Sequence, residues 1–140
     1  MKNLFLDTNV VIDVLANREP FSVSAAKLLD YAEKGKISLY LSALSYSNIY
    51  YILRKLCSHK EMLSILRDLE SMTTTLDVTK QIISNALNSG LKDFEDSIQF
   101  YTALSNMKIE SIVTRNPRDF KNNDISVFTP EEALRIIQSV

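Results

Sequence analysis

The stretch Asn3-Leu4-Phe5-Leu6-Asp7-Thr8-Asn9 decides the architecture. Within a predicted strand over 3 to 6, Leu4-Phe5-Leu6 is a short apolar run that ends at a carboxylate, and an amphipathic segment from Asn9 to about Leu15 begins directly behind it. A continuous apolar run of this length reads as a strand buried on both faces, and a strand leading straight into a helix opens a parallel α/β unit. In an open parallel sheet, ligands bind outside the carboxyl ends of the strands. Asp7 therefore stands where a charged side chain either caps the next helix or works on a ligand.

The same reading, carried outward, gives strands over 37 to 41, 111 to 114 and 126 to 128, with Thr73-Thr74-Thr75-Leu76 as a candidate fifth. Helical patterns lie between them. One follows Pro20 with Val23, Ala26, Leu29 and Ala32 on one side; another follows a cap at Ser42 and carries Leu44, Ile49, Ile52, Leu53 and Leu56. Further helices are predicted over about 60 to 71, 79 to 88, 94 to 107 and 130 to 139, with Gly35 and Gly90 at helix ends. Strands alternating with helices specify an α/β fold, a three-layer sandwich with a central parallel sheet of four or five strands flanked by helices. The absence of repeats and linker-like segments makes 1–140 a single predicted domain.

Composition narrows the function. At 46% hydrophobic residues the 140-residue chain can bury a core without a disulfide or a structural metal. A net charge of −1 excludes holding nucleic acid by bulk electrostatics, so any such contact is local. Cys57, the only cysteine, reads as a small half-buried apolar residue, and His59, the only histidine, as structural or exposed. The chain offers no secretory h-region before Asp7 and no run of membrane-spanning length, so a cytoplasmic protein without a membrane partner is expected.

Four features are predicted to converge at one sheet edge. They are Asp7; Asp93-Phe94-Glu95-Asp96 at the start of a helix; Asn116 with Asp119 in the loop Thr114-Arg115-Asn116-Pro117-Arg118-Asp119; and Asn48, early in the helix after the second strand. Mg²⁺ and Mn²⁺ take oxygen ligands, keep several waters, and are commonly held by a few carboxylates plus substrate phosphate oxygens. Without such an ion the carboxylates would repel one another and any phosphate. The cluster is therefore either a metal site or a set of separate caps: Asp93 is a natural N-cap with Asp96 in the capping-box position, Asp7 can cap the first helix, and Asn116-Pro117 forms a turn.

These residues resemble the PIN-domain family of metal-dependent ribonucleases, which includes the toxins of VapBC-type toxin-antitoxin pairs. The likeness rests on Leu-Phe-Leu-Asp7-Thr8-Asn9-Val, Asp93-Phe-Glu-Asp96-Ser-Ile-Gln and Ile-Val-Thr114-Arg115-Asn116-Pro-Arg-Asp119-Phe, in order, over nearly the whole chain. It implies a ribonuclease acting on single-stranded RNA with Mg²⁺ or Mn²⁺, Asp7 and Asp96 as metal-binding carboxylates, and Thr8 as the hydroxyl beside the first. It further implies Asn116 or Asp119 as a fourth site residue, an antitoxin partner and a homodimer. The chain departs from the family pattern at Asn48, where many members carry glutamate. An amide there brings no charge and implies weaker ion binding, so the alternative is a catalytically weakened or inactive PIN-like module that binds RNA or protein.

Arg115, Arg118 and Lys121 surround Asn116 and Asp119 and are candidate phosphate contacts. Tyr46, Tyr50 and Tyr51 are candidates either for base stacking or for packing in the core or a dimer contact. Asp13 is expected either to approach the cluster from the Asn9 side or to face solvent. An aspartate-nucleophile phosphatase resembling the haloacid-dehalogenase type would need a second Asp where Asn9 stands, and a dinucleotide enzyme would need a glycine-rich loop that is missing after the first strand.

Overall fold

In the computed structural model, which describes residues 1–120 and 124–139, the quoted run is β1 (Asn3–Leu6), the middle strand of a five-stranded sheet. All neighbouring strands are parallel, in the order β3 (Thr74–Leu76), β2 (Ser38–Ser42), β1, β4 (Ser111–Val113), β5 (Ser126–Phe128). Phe5 stands opposite Tyr40 on one side and Ile112 on the other. The Thr74–Leu76 segment is thus a genuine edge strand, and the three-layer α/β expectation holds.

Alternation along β1 splits the core in two. Leu4 and Leu6 pack with α1 (Thr8–Leu15), α2 (Phe21–Glu33), α3 (Ala43–Leu53), α4 (His59–Met72) and α7 (Pro130–Gln138). Phe5 faces the other way, onto Tyr40, Ile112, Phe120 and Phe100 of α6 (Phe94–Leu104), beside which α5 (Lys80–Leu87) lies. Burying a side chain such as Phe5 completely contributes roughly 1.5–3 kcal/mol, which is why so short a strand holds its place.

Two predicted helix faces are corrected. In α2 the buried stripe is Ser22, Ala25, Leu28 and Leu29, while Val23 and Ala26 face solvent. Ser22 can occupy the core side because its hydroxyl donates to Asn17 Oδ1 at 3.3 Å. In α3, Ser45, Ile49 and Leu53 are buried, whereas Leu44 and Ile52 are exposed, as is Leu56 just beyond the helix. α6 ends at Leu104 instead of 107, and Pro117–Phe120 forms a single 3₁₀ turn inside the predicted loop. Lys121 lies outside the described residues.

Candidate active site

The carboxyl edge of the sheet is where the first strand hands over to α1. The Asp7 backbone N–H still pairs with Val113 O of β4 at 2.9 Å, and the chain turns helical at the next residue. Asp7 holds the N-cap position, yet its carboxylate makes no capping bond to α1, which corrects the capping reading. Its Oδ2 instead accepts the Thr114 hydroxyl at 2.9 Å. Thr114 also accepts from the Asn116 N–H at 3.2 Å, and its own N–H pairs with Phe128 O of β5 at 2.9 Å. Burial raises the Asp7 carboxyl above the usual range; the bonds from Thr114 and the Thr8 backbone oppose this, and Asp119 and Asp93 add to it.

Asp93 caps α6 as expected, accepting the Asp96 N–H at 3.0 Å. Asp96 does not serve as the return half of a capping box. It lines a cleft of about 330 Å³ with Asp7, Thr8, Asn48 and Tyr51, and a second cleft of about 560 Å³ with Lys92, Asp93, Arg118 and Asp119. Burial comes first among the effects that push its carboxyl up to about 7, followed by the charges of Asp7, Asp93, Asp119 and Glu95. The four predicted features are thereby divided. Asp7, Asp96 and Asn48 share one cleft, Asp119 reaches only the other, and Asn116 is exposed and lines neither.

Beneath the first cleft lies a polar cluster that the sequence reading did not single out. Buried Gln99 donates to Thr8 Oγ1 at 2.5 Å and approaches Ser45 Oγ at 3.3 Å, and Thr8 and Ser45 hydrogen-bond at 2.7 Å. This links the starts of α1, α3 and α6. A signal was present: Gln99 follows Asp96 by three residues and Ser45 precedes Asn48 by three, the spacing that puts side chains on one helix face.

Asp13 is only 1% exposed, which corrects the solvated alternative. Its Oδ2 lies 2.9 Å from Arg115 Nε, though not in hydrogen-bonding geometry, and its Oδ1 lies 3.9 Å from Arg18. The Arg115 guanidinium also sits 4.2 Å from the Phe21 ring centre. Arg115 is therefore turned toward α1 and α2, while Arg118 lies in the second cleft. Of the tyrosines, Tyr46 bonds to Thr75 and Tyr50 to His59 Nδ1, each at 2.8 Å, and Tyr51 is 65% exposed in the first cleft.

Do these residues suit a metal ion? Asp7 and Asp96 face no Lys or Arg within ion-pair distance among the described residues, so their charge is uncompensated. Two carboxylates and the Asn48 amide form an all-oxygen set in an open cleft, suited to a hard cation that keeps waters. Among the described residues no three His, Cys, Asp or Glu side chains form a ready metal cage. The donors fit an ion completed by water and phosphate oxygens rather than one caged by protein alone.

Comparisons with known proteins identify the family. The family model of the PIN domain matches residues 3–118. Ribonuclease VapC1 of Aquifex aeolicus (strain VF5) is 26% identical over 139 residues, covering 94% of this chain and 92% of that protein. Among solved structures, DNA-bound VapBC from Salmonella typhimurium superposes with a TM-score of 0.66 at 19% identity, covering 93% of this chain and 99% of that one. A toxin-antitoxin complex from Klebsiella pneumoniae gives 0.64 at 24% identity, with 91% and 97% covered. With its family model matched over most of its length and its fold shared with these complexes, the chain belongs to the PIN-domain family.

Proposed function

We propose that this protein is an endoribonuclease that hydrolyses phosphodiester bonds of single-stranded RNA with Mg²⁺ or Mn²⁺. The observation that carries the reading is the pairing of Asp7 with Asp96 in one open cleft, with no Lys or Arg in ion-pair distance of either among the described residues. Asp7 and Asp96 hold the ion, which when bound supplies an activated water and neutralises charge on the leaving oxygen. Thr114 fixes the Asp7 carboxylate, and Gln99 with Ser45 fixes Thr8 beside it. Asn48 accepts a hydrogen bond from a water in the cleft. Of the two candidates on the β4 loop, Asp119 is favoured over Asn116 because it shares a cleft with Asp96, and Arg118 in that cleft is favoured over Arg115 for substrate.

The toxin-antitoxin complexes among the structural neighbours support an antitoxin partner, and the family likeness alone supports a homodimer. Exposed Leu44, Ile52 and Leu56, clustered on and just after α3, support a protein contact there. No helix among the described residues is long and apolar enough to cross a membrane.

The decisive assay measures cleavage of single-stranded RNA by the purified protein with Mg²⁺ or Mn²⁺ and with chelator, beside Asp7→Asn and Asp96→Asn. Loss of an ion-holding or transition-state contact removes about 10²-fold or more of the rate. Undiminished cleavage by Asp7→Asn rejects the assignment. A second reading, an RNA- or protein-binding module without hydrolysis, is favoured by the uncharged Asn48 in the cleft. It predicts no Asp7-dependent Mn²⁺ binding in a titration, and gains if Asn48→Glu creates activity where none existed.

A further inference from the structure

Asp96 lines two clefts, of which one carries an exposed aromatic and the other two basic side chains beside its carboxylates. The first carries the side chains of Tyr51 and Ile52, 65% and 47% exposed, and Arg54 lies 4.3 Å from the centre of the Tyr51 ring. A large aromatic left in solvent at the rim of a polar cleft is a stacking platform, and the adjacent guanidinium adds a second planar group. The second cleft carries Lys92 and Arg118, neither of which pairs with a carboxylate among the described residues. Of the carboxylates in this cleft, Asp93 is occupied in capping α6, and Asp96 and Asp119 are the groups that the ribonuclease reading assigns to the ion. Two uncommitted cations facing one cleft suit successive phosphate oxygens.

We propose that the two clefts form one track for a single RNA strand, in which a base stacks on Tyr51 on one side of Asp96 and the backbone on the other side is held through its phosphates by Lys92 and Arg118. The proposal rests on the ribonuclease reading and adds to it the path and chemistry of binding. Stacking on Tyr51 requires an unpaired base, so the track selects single strands. Lys92 and Arg118 read no sequence, so they hold the strand in register whatever its bases.

The test measures binding of a short fluorescent RNA by anisotropy in the Asp7→Asn background, at several salt concentrations with Mg²⁺ present. Lys92→Ala and Arg118→Ala should each weaken binding about fivefold or more and flatten the slope of log Kd against log salt by about 0.7, the value for one single-strand phosphate contact. Tyr51→Ala should weaken binding of the single strand about fivefold or more with an unchanged slope, and leave binding of a duplex of the same sequence unaltered. Unchanged affinity and slope in Lys92→Ala and Arg118→Ala, or an equal effect of Tyr51→Ala on single strand and duplex, overturns the track. The two readings fail separately. Asp7-dependent cleavage by the unsubstituted protein with these variants binding normally removes the track and leaves hydrolysis, whereas the predicted binding pattern without cleavage removes hydrolysis and leaves the track.

Discussion

Asp96 is the residue in which fold and chemistry pull against each other. In the unfolded chain its carboxyl titrates at the ordinary 3.8, whereas burial and the neighbouring acids hold it at about 7 in the metal-free fold. Between those values the folded state keeps a proton that the unfolded state has released, so stability falls as pH rises from about 4 to about 7 and levels off above. Asp96→Asn is expected to remove that decline and to melt several degrees higher than the unsubstituted protein at pH 8 while losing cleavage. Thermal melts across pH in chelator check this, and identical pH profiles for the two proteins would refute it. Asp13 differs in having arginine partners: burial raises its carboxyl as well, and Arg115 and Arg18 oppose that rise. Asp13→Asn takes the charge from in front of Arg115, which is itself 26% exposed, and should cost about 1.5–3 kcal/mol in urea unfolding. Neither effect is legible from the residues in isolation. The buried carboxylate of Asp13 and its partner Arg115 are over a hundred positions apart, and a lone acid on a helix otherwise reads as a solvated one.

At the scale of elements, legibility followed burial on both faces. Leu4-Phe5-Leu6 is apolar at every position because helices cover both sides of the sheet, and that uniformity separates it from an amphipathic helix. Phe5→Ala removes the ring that faces Phe100, Phe120 and Ile112, and an expected loss of about 3–5 kcal/mol should appear as a shifted urea midpoint. The α2 face was misread because Val23 and Ala26 each lie one residue past the buried Ser22 and Ala25, while Leu29 belongs to both the predicted and the true stripe. A serine at the start of that stripe hid it, and only the Asn17 acceptor explains how Ser22 is buried. The apolar members of α3 mislead for a different reason. Ile49 and Leu53 serve the core while Leu44 and Ile52 do not, and hydrophobicity alone does not distinguish a core contact from a surface kept for a partner.

For the molecule as a whole, the parallel order β3-β2-β1-β4-β5 gathers the ends of three neighbouring strands, and with them the starts of α1 and α3 and the β4 loop, on one rim; α6, packed against the other face, brings Asp96 to it. Sequence alone placed Asp7, Asp96 and Asn48 on that rim, since each lies at or near a helix start. It left Asn116 and Asp119 undivided, because their separation depends on the 3₁₀ turn at Pro117–Phe120. If the rim holds a divalent ion, the whole fold gains from it. Mn²⁺ at about 100 times its Kd should stabilise the protein by about 2.7 kcal/mol, and not at all in the Asp7→Asn, Asp96→Asn double variant. Calorimetric melts with and without Mn²⁺ decide this, and an equal gain in both proteins would place the ion elsewhere.

Thr114 gives this arrangement a reach beyond the rim. One residue receives Asn116, holds Asp7, and is itself anchored through its amide to the last strand, on which α7 follows two residues later. Clipping or prying off the last strand of the sheet would therefore let the first carboxylate swing without deleting a single ligand, so the far edge of the molecule is a handle by which the centre can be silenced.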